Sequence, residues 1–210
     1  VAMLVKKNTF SPYKLITKAQ NFKLSREEVI FNIVKHLPLD VPVVSTTGMA
    51  SRELFEIRKK IKDSHSRDFL TVGGMGHANQ IAAGIAFSKP ERKVLCIDGD
   101  GALLMHSGGL AISADCDNLI HILINNEAHD SVGGQPTKGN SLSFSAIALK
   151  FGYVNVYLAS DLEQLSKAIS ESLESKKSCF IEVNCCKGNR SDLGRPDRTP
   201  KENMNDFMTF

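Results

Sequence analysis

The run KVLCIDGDG at Lys93–Gly101 contains the clearest indication of the fold of this chain. Its first half is apolar at nearly every position, as in a strand that helices cover on both faces. The glycines and aspartates that follow are typical of a turn from a strand into a helix, here predicted at 103–116. A second apolar run, LIHILI at 119–124, then repeats the strand. This order predicts two parallel strands joined by a right-handed helical crossover.

The same alternation of strand and helix extends in both directions along the chain. A Ser-x-x-Glu capping box at Ser25–Glu28 begins a helix that Pro38 ends. Further strands are predicted at 41–45, 154–158 and 179–183, and further helices at 50–62, 78–88, 143–151 and 161–175. We therefore expect an α/β fold, with a mostly parallel five- to six-stranded sheet and helices on both faces.

The composition is that of a globular protein. The chain has 210 residues, 42% of them hydrophobic and 23% charged, which predicts one domain with short appendages. We expect an arm or interdomain linker at 1–23, the folded domain at 24–188 and a C-terminal tail at 189–210. A net charge of +3 gives no reason to expect nucleic-acid binding, and no apolar run approaches the roughly 18 residues of a membrane span. Five cysteines without disulfide spacing favour the reducing cytoplasm.

Polar residues follow two of the predicted strands, at the edge where an open parallel sheet binds ligands. Asp100 lies between two glycines, and Asn126 follows the next strand. Their oxygen atoms are the ligands that Mg²⁺ prefers, and the glycines let a phosphate approach the backbone. Either turn alone has a plain structural explanation, since Gly-Asp-Gly occurs in ordinary turns and asparagine often caps them. Together the two turns indicate a site for a diphosphate and a divalent metal.

Two earlier turns have similar features. Gly73–Asn79 precedes a helix of small residues, but it lacks the third glycine of a dinucleotide-binding fingerprint, and the chain has no P-loop motif. The turn Ser45–Ser51 offers two hydroxyl donors, Thr47 and Ser51, at the start of a helix. Serine and threonine are also common helix caps, so this turn supports a phosphate site only in combination with the others.

The combined pattern resembles the signature of the thiamine-diphosphate-dependent enzymes. Gly-Asp-Gly at 99–101 is followed by 23 residues and then by Asn-Asn at 125–126. The resemblance implies that Asp100 and Asn126 would hold Mg²⁺ through their side chains and Ala128 through its carbonyl.

The resemblance also implies contacts to the organic cofactor. Gly73 would offer a carbonyl to the aminopyrimidine, and Met75 would lie beneath the thiazolium, although a core position suits Met75 equally well. The implied cofactor-binding residues are Thr47, Gly48, Ser51, Gly73, Gly74, Met75, Gly99, Asp100, Gly101, Ala102, Asn126, Ala128 and Ser131.

The run NNEAHDSVGGQPT at Asn125–Thr137 narrows the resemblance. It is similar to the carboxyl-terminal half of phosphonopyruvate decarboxylases and to the β subunits of sulfopyruvate decarboxylases, as are Ser45–Leu54 and Asp192–Pro196. The likeness implies a cofactor-binding domain, called the PP domain, that takes part in decarboxylating a small anionic 2-oxo acid. For phosphonopyruvate, the products would be phosphonoacetaldehyde and CO₂.

One part of the family pattern is missing. The glutamate that activates the aminopyrimidine belongs to the family's PYR domain, and neither Glu53, Glu56 nor Glu127 can be nominated in its place. We therefore expect a PYR-domain half or α subunit as partner, an oligomeric assembly, and a chain that is a fragment or one subunit of a two-chain enzyme. A sulfopyruvate decarboxylase β subunit and a non-catalytic cofactor-binding assembly module are the alternatives.

The histidines and cysteines give weaker signals. His77 and His129 lie in cofactor-side turns and are candidates for orienting substrate or donating protons. No H-x-x-x-H or H-x-H pair occurs, which disfavours a zinc site. Cys96, Cys116 and Cys179 lie in apolar surroundings and are expected to be small core residues.

Overall fold

The computed structural model describes residues 1–6, 8–11 and 21–210, and a six-stranded sheet forms its centre. The strands of this sheet are β1 (Val43–Ser45), β2 (Asp68–Leu70), β3 (Val94–Gly99), β4 (Leu119–Asn125), β7 (Asn155–Ala159) and β8 (Cys179–Asn184). Two further short strands, β5 (Ala128–His129) and β6 (Gln135–Pro136), form a separate antiparallel pair. The six strands are all parallel, in the order β2-β1-β3-β4-β8-β7. The predicted α/β fold is confirmed.

Helices cover both faces of the sheet. They are α1 (Arg26–His36), α2 (Met49–Ile61), α3 (Ala78–Ser88), α4 (Asp100–Met105), α5 (Gly109–Ser113), α6 (Phe144–Phe151), α7 (Leu162–Glu174) and α8 (Pro200–Met208). Helices α1, α2 and α7 pack over one face, and α3 to α6 pack over the other. Because both faces are covered, the central strands β3 and β4 are buried along nearly their whole length and their apolar residues do not alternate with exposed ones.

Successive side chains of a strand point to opposite faces. On β3, Leu95 and Ile97 pack in the cluster that contains α1, α2 and α7, whereas Cys96 packs beneath α3. The register places Cys96 beside His121 of β4. The polar ends of β3 and β4 come together at one edge of the sheet, where α4 begins at Asp100.

Strand β2 was not predicted from the sequence. It has three residues, and Asp68 within it is 1% exposed and bound to Arg58 of α2 at 2.8 Å. A buried aspartate interrupts the apolar pattern that identifies a strand, and its partner arrives only through tertiary packing. The strand predicted at 41–45 also starts later than expected, at Val43.

The single helix predicted at 103–116 is wrong, because α4 and α5 occupy this region with a break between them at 106–108. Gly109, which opens α5, lies so close to the side chain of Gln80 that a Cβ would collide with it. A side chain at this position would have to displace the flexible end of Gln80, and a glycine also weakens a continuous helix.

The C-terminal segment contains a helix that was not predicted. Helix α8 begins with a capping box between Thr199 and Glu202. Asn203 accepts a hydrogen bond from the N–H of Leu70 at 3.2 Å and donates one to the carbonyl of Asp68 at 2.9 Å. The helix therefore covers the free edge of β2, which would otherwise expose unpaired backbone groups.

The domain boundaries at residues 23 and 188 stay predictions. Within the predicted arm at 1–23, residue 7 and residues 12–20 lie outside the described residues. The capping box of α1 is confirmed, since the Ser25 hydroxyl accepts a hydrogen bond from the N–H of Glu28 at 3.2 Å. In the described part of the chain, no helix has the length and apolar character needed to cross a membrane.

Candidate functional site

The carboxyl ends of β1, β3 and β4 meet at a small cavity of about 70 Å³. An open parallel sheet is expected to bind ligands at this place. The predicted site residues that line the cavity are Thr47, Met75, Gly99, Asp100, Gly101, Ala102, Asn126, Ala128, His129 and Ser131. Sequence reasoning missed other lining residues, among them Arg26, Thr46, Met49 and Asp130.

Asp100 is the most unusual ionisable group of the cavity. Its side chain opens α4, is only 2% exposed, and accepts a hydrogen bond from the Thr137 hydroxyl. Burial raises the pKa of this carboxyl to about 6, although hydrogen bonds from Thr137 and from the Gly101 backbone oppose the shift. A bound cation would reverse the shift by stabilising the ionised form, so the residue fits the role of a metal ligand.

Asn126 lies beside the cavity with its amide held in one orientation. Its Nδ2 donates to Oδ2 of Asp130 at 2.7 Å, and its Oδ1 accepts from the backbone N–H of Ala128 at 3.2 Å. An ionised carboxylate only accepts hydrogen bonds, so Asp130 requires the nitrogen of the amide to face it. The amide oxygen is thereby directed away from Asp130.

Asp130 is itself anchored by Arg26 of α1. The guanidinium donates to Asp130 Oδ2 at 2.6 Å and to both carboxylate oxygens of Glu53, at 2.7 and 2.9 Å. The N–H of Gly188 adds a further bond to Asp130 at 3.0 Å. Arg26 stands more than 100 positions before Asp130 in the chain, so no local sequence signal could have indicated this contact.

Two glycines allow other residues to approach closely. A Cβ on Gly101 would collide with the ring of His129, which explains why this position in α4 has no side chain. Gly48 adopts a φ of 99°, and a Cβ there would lie 3.4 Å from Cβ of Ser131. The turn that carries His129 and Ser131 is thus packed directly on the turns after β1 and β3.

The turn after β1 brings a further threonine to the cavity, while the Ser51 hydroxyl binds the backbone. Thr46 was not nominated, but its buried hydroxyl lines the cavity and has no hydrogen-bond partner among the described residues. Ser51, which was nominated as a donor to the cofactor, instead donates its hydroxyl to the carbonyl of Thr46 at 2.6 Å. An unpaired buried hydroxyl fits a site that completes its hydrogen bonds with a ligand.

Three further predicted residues, Gly73, Gly74 and His77, are not in the lining of the cavity. Gly74 and His77 border a neighbouring cavity, and the His77 ring stacks on His106 at 4.5 Å between centroids. Gly73 adopts a φ of 75°, a backbone conformation that favours glycine. Of the two histidine candidates, only His129 reaches the cavity with Asp100.

Comparison with known proteins links this geometry to one family. Residues 46–183 match the model of the thiamine pyrophosphate enzyme C-terminal TPP binding domain. The chain is 36% identical over 188 residues to a phosphonopyruvate decarboxylase of Streptomyces viridochromogenes, a match that covers 89% of this chain and 46% of the relative. It is 38% identical over 141 residues to the sulfopyruvate decarboxylase subunit beta of Methanothermobacter thermautotrophicus, covering 66% of this chain and 72% of that subunit.

The chain spans about half the length of the phosphonopyruvate decarboxylases that it matches. Its fold is also similar to the crystal structure of benzoylformate decarboxylase from Polynucleobacter necessarius, with a TM-score of 0.70 and 18% identity over 84% of this chain and 36% of that one. The match to residues 46–183 covers most of the domain that contains the cavity. This chain belongs to the thiamine pyrophosphate enzyme family, in which it corresponds to the C-terminal TPP binding domain.

Proposed function

We propose that this chain is the cofactor-binding half of a thiamine-diphosphate- and Mg²⁺-dependent 2-oxo acid decarboxylase. The observation that carries the proposal is the buried Asp100 carboxylate, which shares a cavity with Asn126 at the edge of the sheet. Thiamine diphosphate supplies, when bound, an electron sink for the loss of CO₂ from a 2-oxo acid.

The metal would be held by oxygen atoms alone. Asp100 and Asn126 would bind Mg²⁺ through their side chains, and Ala128 through its carbonyl. A carboxylate, an amide oxygen and a backbone carbonyl are hard donors, which suit Mg²⁺ better than a thiophilic ion. The cation would also compensate the cost of keeping the Asp100 carboxylate ionised at 2% exposure.

The organic cofactor would bind along the same turns. The hydroxyls of Thr46, Thr47 and Ser131 line the cavity and are suited to donate hydrogen bonds to a diphosphate. Gly101 lets the His129 ring pack against the start of α4, beside the cavity. Met75 also lines the cavity, which agrees with the expected support beneath the thiazolium. His129 is the better placed of the two histidines to orient an anionic substrate.

A partner would supply the activating glutamate. Among the acids of this chain, Glu53 is close to the cavity, but both of its carboxylate oxygens accept hydrogen bonds from Arg26. We therefore assign the activating carboxylate to a PYR-domain half or α subunit, and the active enzyme to an oligomer that contains both. The preferred substrate is phosphonopyruvate, giving phosphonoacetaldehyde and CO₂.

A titration of thiamine diphosphate by calorimetry, with and without Mg²⁺, tests the cofactor site. We expect Mg²⁺-dependent binding that Asp100→Ala abolishes and that Asp117→Ala, at an aspartate whose side chain is 56% exposed, leaves unchanged. Binding that ignores Mg²⁺ or the Asp100 variant would contradict the assignment. If the chain alone binds nothing, the titration is repeated with a PYR-domain protein, and failure there too refutes the proposal.

A second candidate is the β subunit of a sulfopyruvate decarboxylase. The observation that favours it is the match to a separate β subunit, of which the chain covers 72%. Turnover of phosphonopyruvate and of sulfopyruvate by the assembled enzyme separates the two functions, since the true substrate has the higher kcat/KM. A complex that binds the cofactor but decarboxylates neither acid would instead support a non-catalytic assembly module.

A further inference from the structure

A second group of metal-ligating side chains lies inside the core, beneath the helices α3 to α6. Cys96, Asp98 and His121 are 0%, 1% and 0% exposed. Cys96 and His121 are register partners on β3 and β4, and Asp98 stands two residues further along β3 on the same face. Three potential ligand atoms, one from each residue, all lie within 4.8 Å of one another.

Two polar atoms in this cluster face each other without forming a hydrogen bond. Nε2 of His121 and Oδ2 of Asp98 are 3.6 Å apart, and neither atom has a hydrogen-bond partner among the described residues. This distance exceeds the roughly 2.7–3.2 Å of an N–H···O hydrogen bond. Nitrogen and oxygen ligands of one tetrahedral ion, each about 2.0–2.1 Å from it, lie roughly 3.3 Å apart. The observed distance of 3.6 Å between Nε2 and Oδ2 is close to this separation of two metal ligands.

The other polar atom of each side chain is already engaged. Nδ1 of His121 lies 3.1 Å from the Tyr153 hydroxyl, which in turn lies 2.9 Å from the hydroxyl of Ser113. Oδ1 of Asp98 accepts a hydrogen bond from the N–H of Gly99 at 2.9 Å. Outer contacts of this kind orient the ligands of a metal ion, because they fix which imidazole nitrogen and which carboxylate oxygen point inward.

We propose that Cys96, Asp98 and His121 form a buried binding site for a thiophilic dication of the Zn²⁺ type. The thiolate and the carboxylate together carry two negative charges, so a dication leaves the site neutral in the core. Thiolate and imidazole ligands select such an ion over Mg²⁺, and a water molecule completes four-fold coordination. Asp98 also lines the cofactor-side cavity, so the cluster adjoins that cavity at one of its three residues.

Metal binding at this site releases one proton. Burial raises the pKa of the Cys96 thiol well above its ordinary value, so the metal-free cysteine keeps its proton. When the dication binds, the sulfur–metal bond forms and the proton leaves to solvent. The ion would join β3 to β4 just before the strand ends that carry Asp100 and Asn126. Sequence spacing could not indicate this site, because its ligands come from two strands and include no histidine pair.

Metal analysis of the full chain tests the proposal. The protein is produced in zinc-supplemented medium, dialysed against Mg²⁺ buffer and assayed for zinc, and a second sample is loaded with Co²⁺. We expect about one zinc per chain and a thiolate-to-cobalt charge-transfer absorption. Cys96→Ser should lose both signals. The matched control Cys116→Ser, at another buried cysteine beneath α3, should keep both.

The Asp100→Asn variant separates this site from the Mg²⁺ site, since it should lose cofactor binding and keep the zinc. A folded wild-type chain that retains no zinc and gives no charge-transfer band overturns the proposal, as does a Cys96→Ser protein that retains the zinc. If Cys96→Ser fails to fold, the cobalt spectra of the wild type and of Cys116→Ser decide the question. A charge-transfer band in both proteins supports a thiolate ligand other than Cys116. Absence of the band from both proteins refutes a thiolate ligand.

Discussion

Two buried arginines, Arg26 and Arg58, hold carboxylates in the same way but in different regions of the molecule. Arg58 of α2 is fully buried and donates to Asp68 at 2.8 Å and to Asp63 at 2.6 Å. Asp63 also accepts a hydrogen bond from Arg67 at 2.7 Å. None of these residues lines the cofactor cavity. This cluster ties α2 to the short edge strand β2.

The Arg26 cluster likewise consists of one guanidinium and two carboxylates, but Arg26 and Asp130 line the cavity. Its two carboxylates, Glu53 and Asp130, lie 2.7 and 2.6 Å from the guanidinium. Burial alone would lower the pKa of Arg26, yet the hydrogen bonds and charges of Glu53 and Asp130 outweigh burial and raise it. The Arg26 cluster also makes a contact to the candidate site, from the amide of Asn126 to Asp130 at 2.7 Å.

Ion-pair geometry alone therefore does not distinguish a purely structural cluster from one that contacts the candidate site. Both arginines have two acidic partners within 3 Å. What differs is the third contact of one carboxylate, which in the Arg26 cluster reaches a candidate metal ligand. We expect the Arg58 cluster to matter for stability alone, and the Arg26 cluster to matter for stability and Mg²⁺ binding.

The largest expected effect is on stability. Arg58→Met should lower the free energy of unfolding by about 3–5 kcal/mol, because it leaves Asp68 charged and unpaired in the core. Urea unfolding followed by circular dichroism measures the loss. Lys60→Met, at an exposed position of the same helix, is the control and should stay within about 0.5 kcal/mol of wild type. A loss below about 1 kcal/mol for Arg58→Met would contradict a stabilising role of the cluster.

Asp100 is a buried carboxylate that accepts a hydrogen bond from a threonine hydroxyl, whereas the carboxylates of the two clusters are paired with a guanidinium. Burial raises its pKa from 3.8 to about 6. The folded state therefore takes up a proton at higher pH than the unfolded state, and Mg²⁺-free stability should increase as the pH falls from about 6 to about 4. The gain from this group is about 3 kcal/mol.

The difference in unfolding free energy between wild type and Asp100→Asn isolates this gain from other titrating groups. In the absence of Mg²⁺, that difference should change over the pH range from about 6 to about 4, and saturating Mg²⁺ should suppress the change. A pH-independent difference would show that Asp100 has an ordinary pKa in the folded protein.

Asp130→Asn tests the contact that distinguishes the two clusters. We expect a loss of Mg²⁺ affinity of about tenfold or more, because Asn126 loses the charged acceptor that orients its amide. The affinity is measured as the Mg²⁺ concentration that half-saturates thiamine diphosphate binding. Asp63→Asn makes the same change in the Arg58 cluster and should alter stability but not the Mg²⁺ requirement. Equal half-saturation values for Asp130→Asn and wild type would remove the distinction between the clusters.

The smallest effect is expected at the surface. Lys59 and Asp197 are 2.7 Å apart, but their side chains are 66% and 58% exposed. Solvent screens such a pair, so Lys59→Ala should change the unfolding free energy by less than about 1 kcal/mol. Raising the salt concentration should reduce even this difference, whereas the loss for Arg58→Met should respond less to salt. A larger loss for Lys59→Ala would mean that the C-terminal segment depends on this contact.

The fold class and the two central residues of the candidate site could be predicted from the sequence. Continuous apolar runs at β3 and β4 identified covered parallel strands, because residues buried on both faces show no alternation. The glycines and polar residues that follow those strands predicted Asp100 and Asn126 as metal ligands, because glycine lets a phosphate approach the backbone and the two side chains offer oxygen atoms. These features are local in the chain, so spacing and residue type were sufficient to find them.

The polar contacts between residues that are distant in sequence could be found only from the folded structure. Strand β2 depends on the pairing of Asp68 with Arg58, and Asn126 depends on Asp130 and Arg26 for its orientation. Each of these is a polar contact between segments that lie apart in sequence, made favourable by burial in a low dielectric. Hydrophobic periodicity cannot predict such contacts. It indicates which face of a helix or strand is buried, but not which polar side chain from another segment contacts that face.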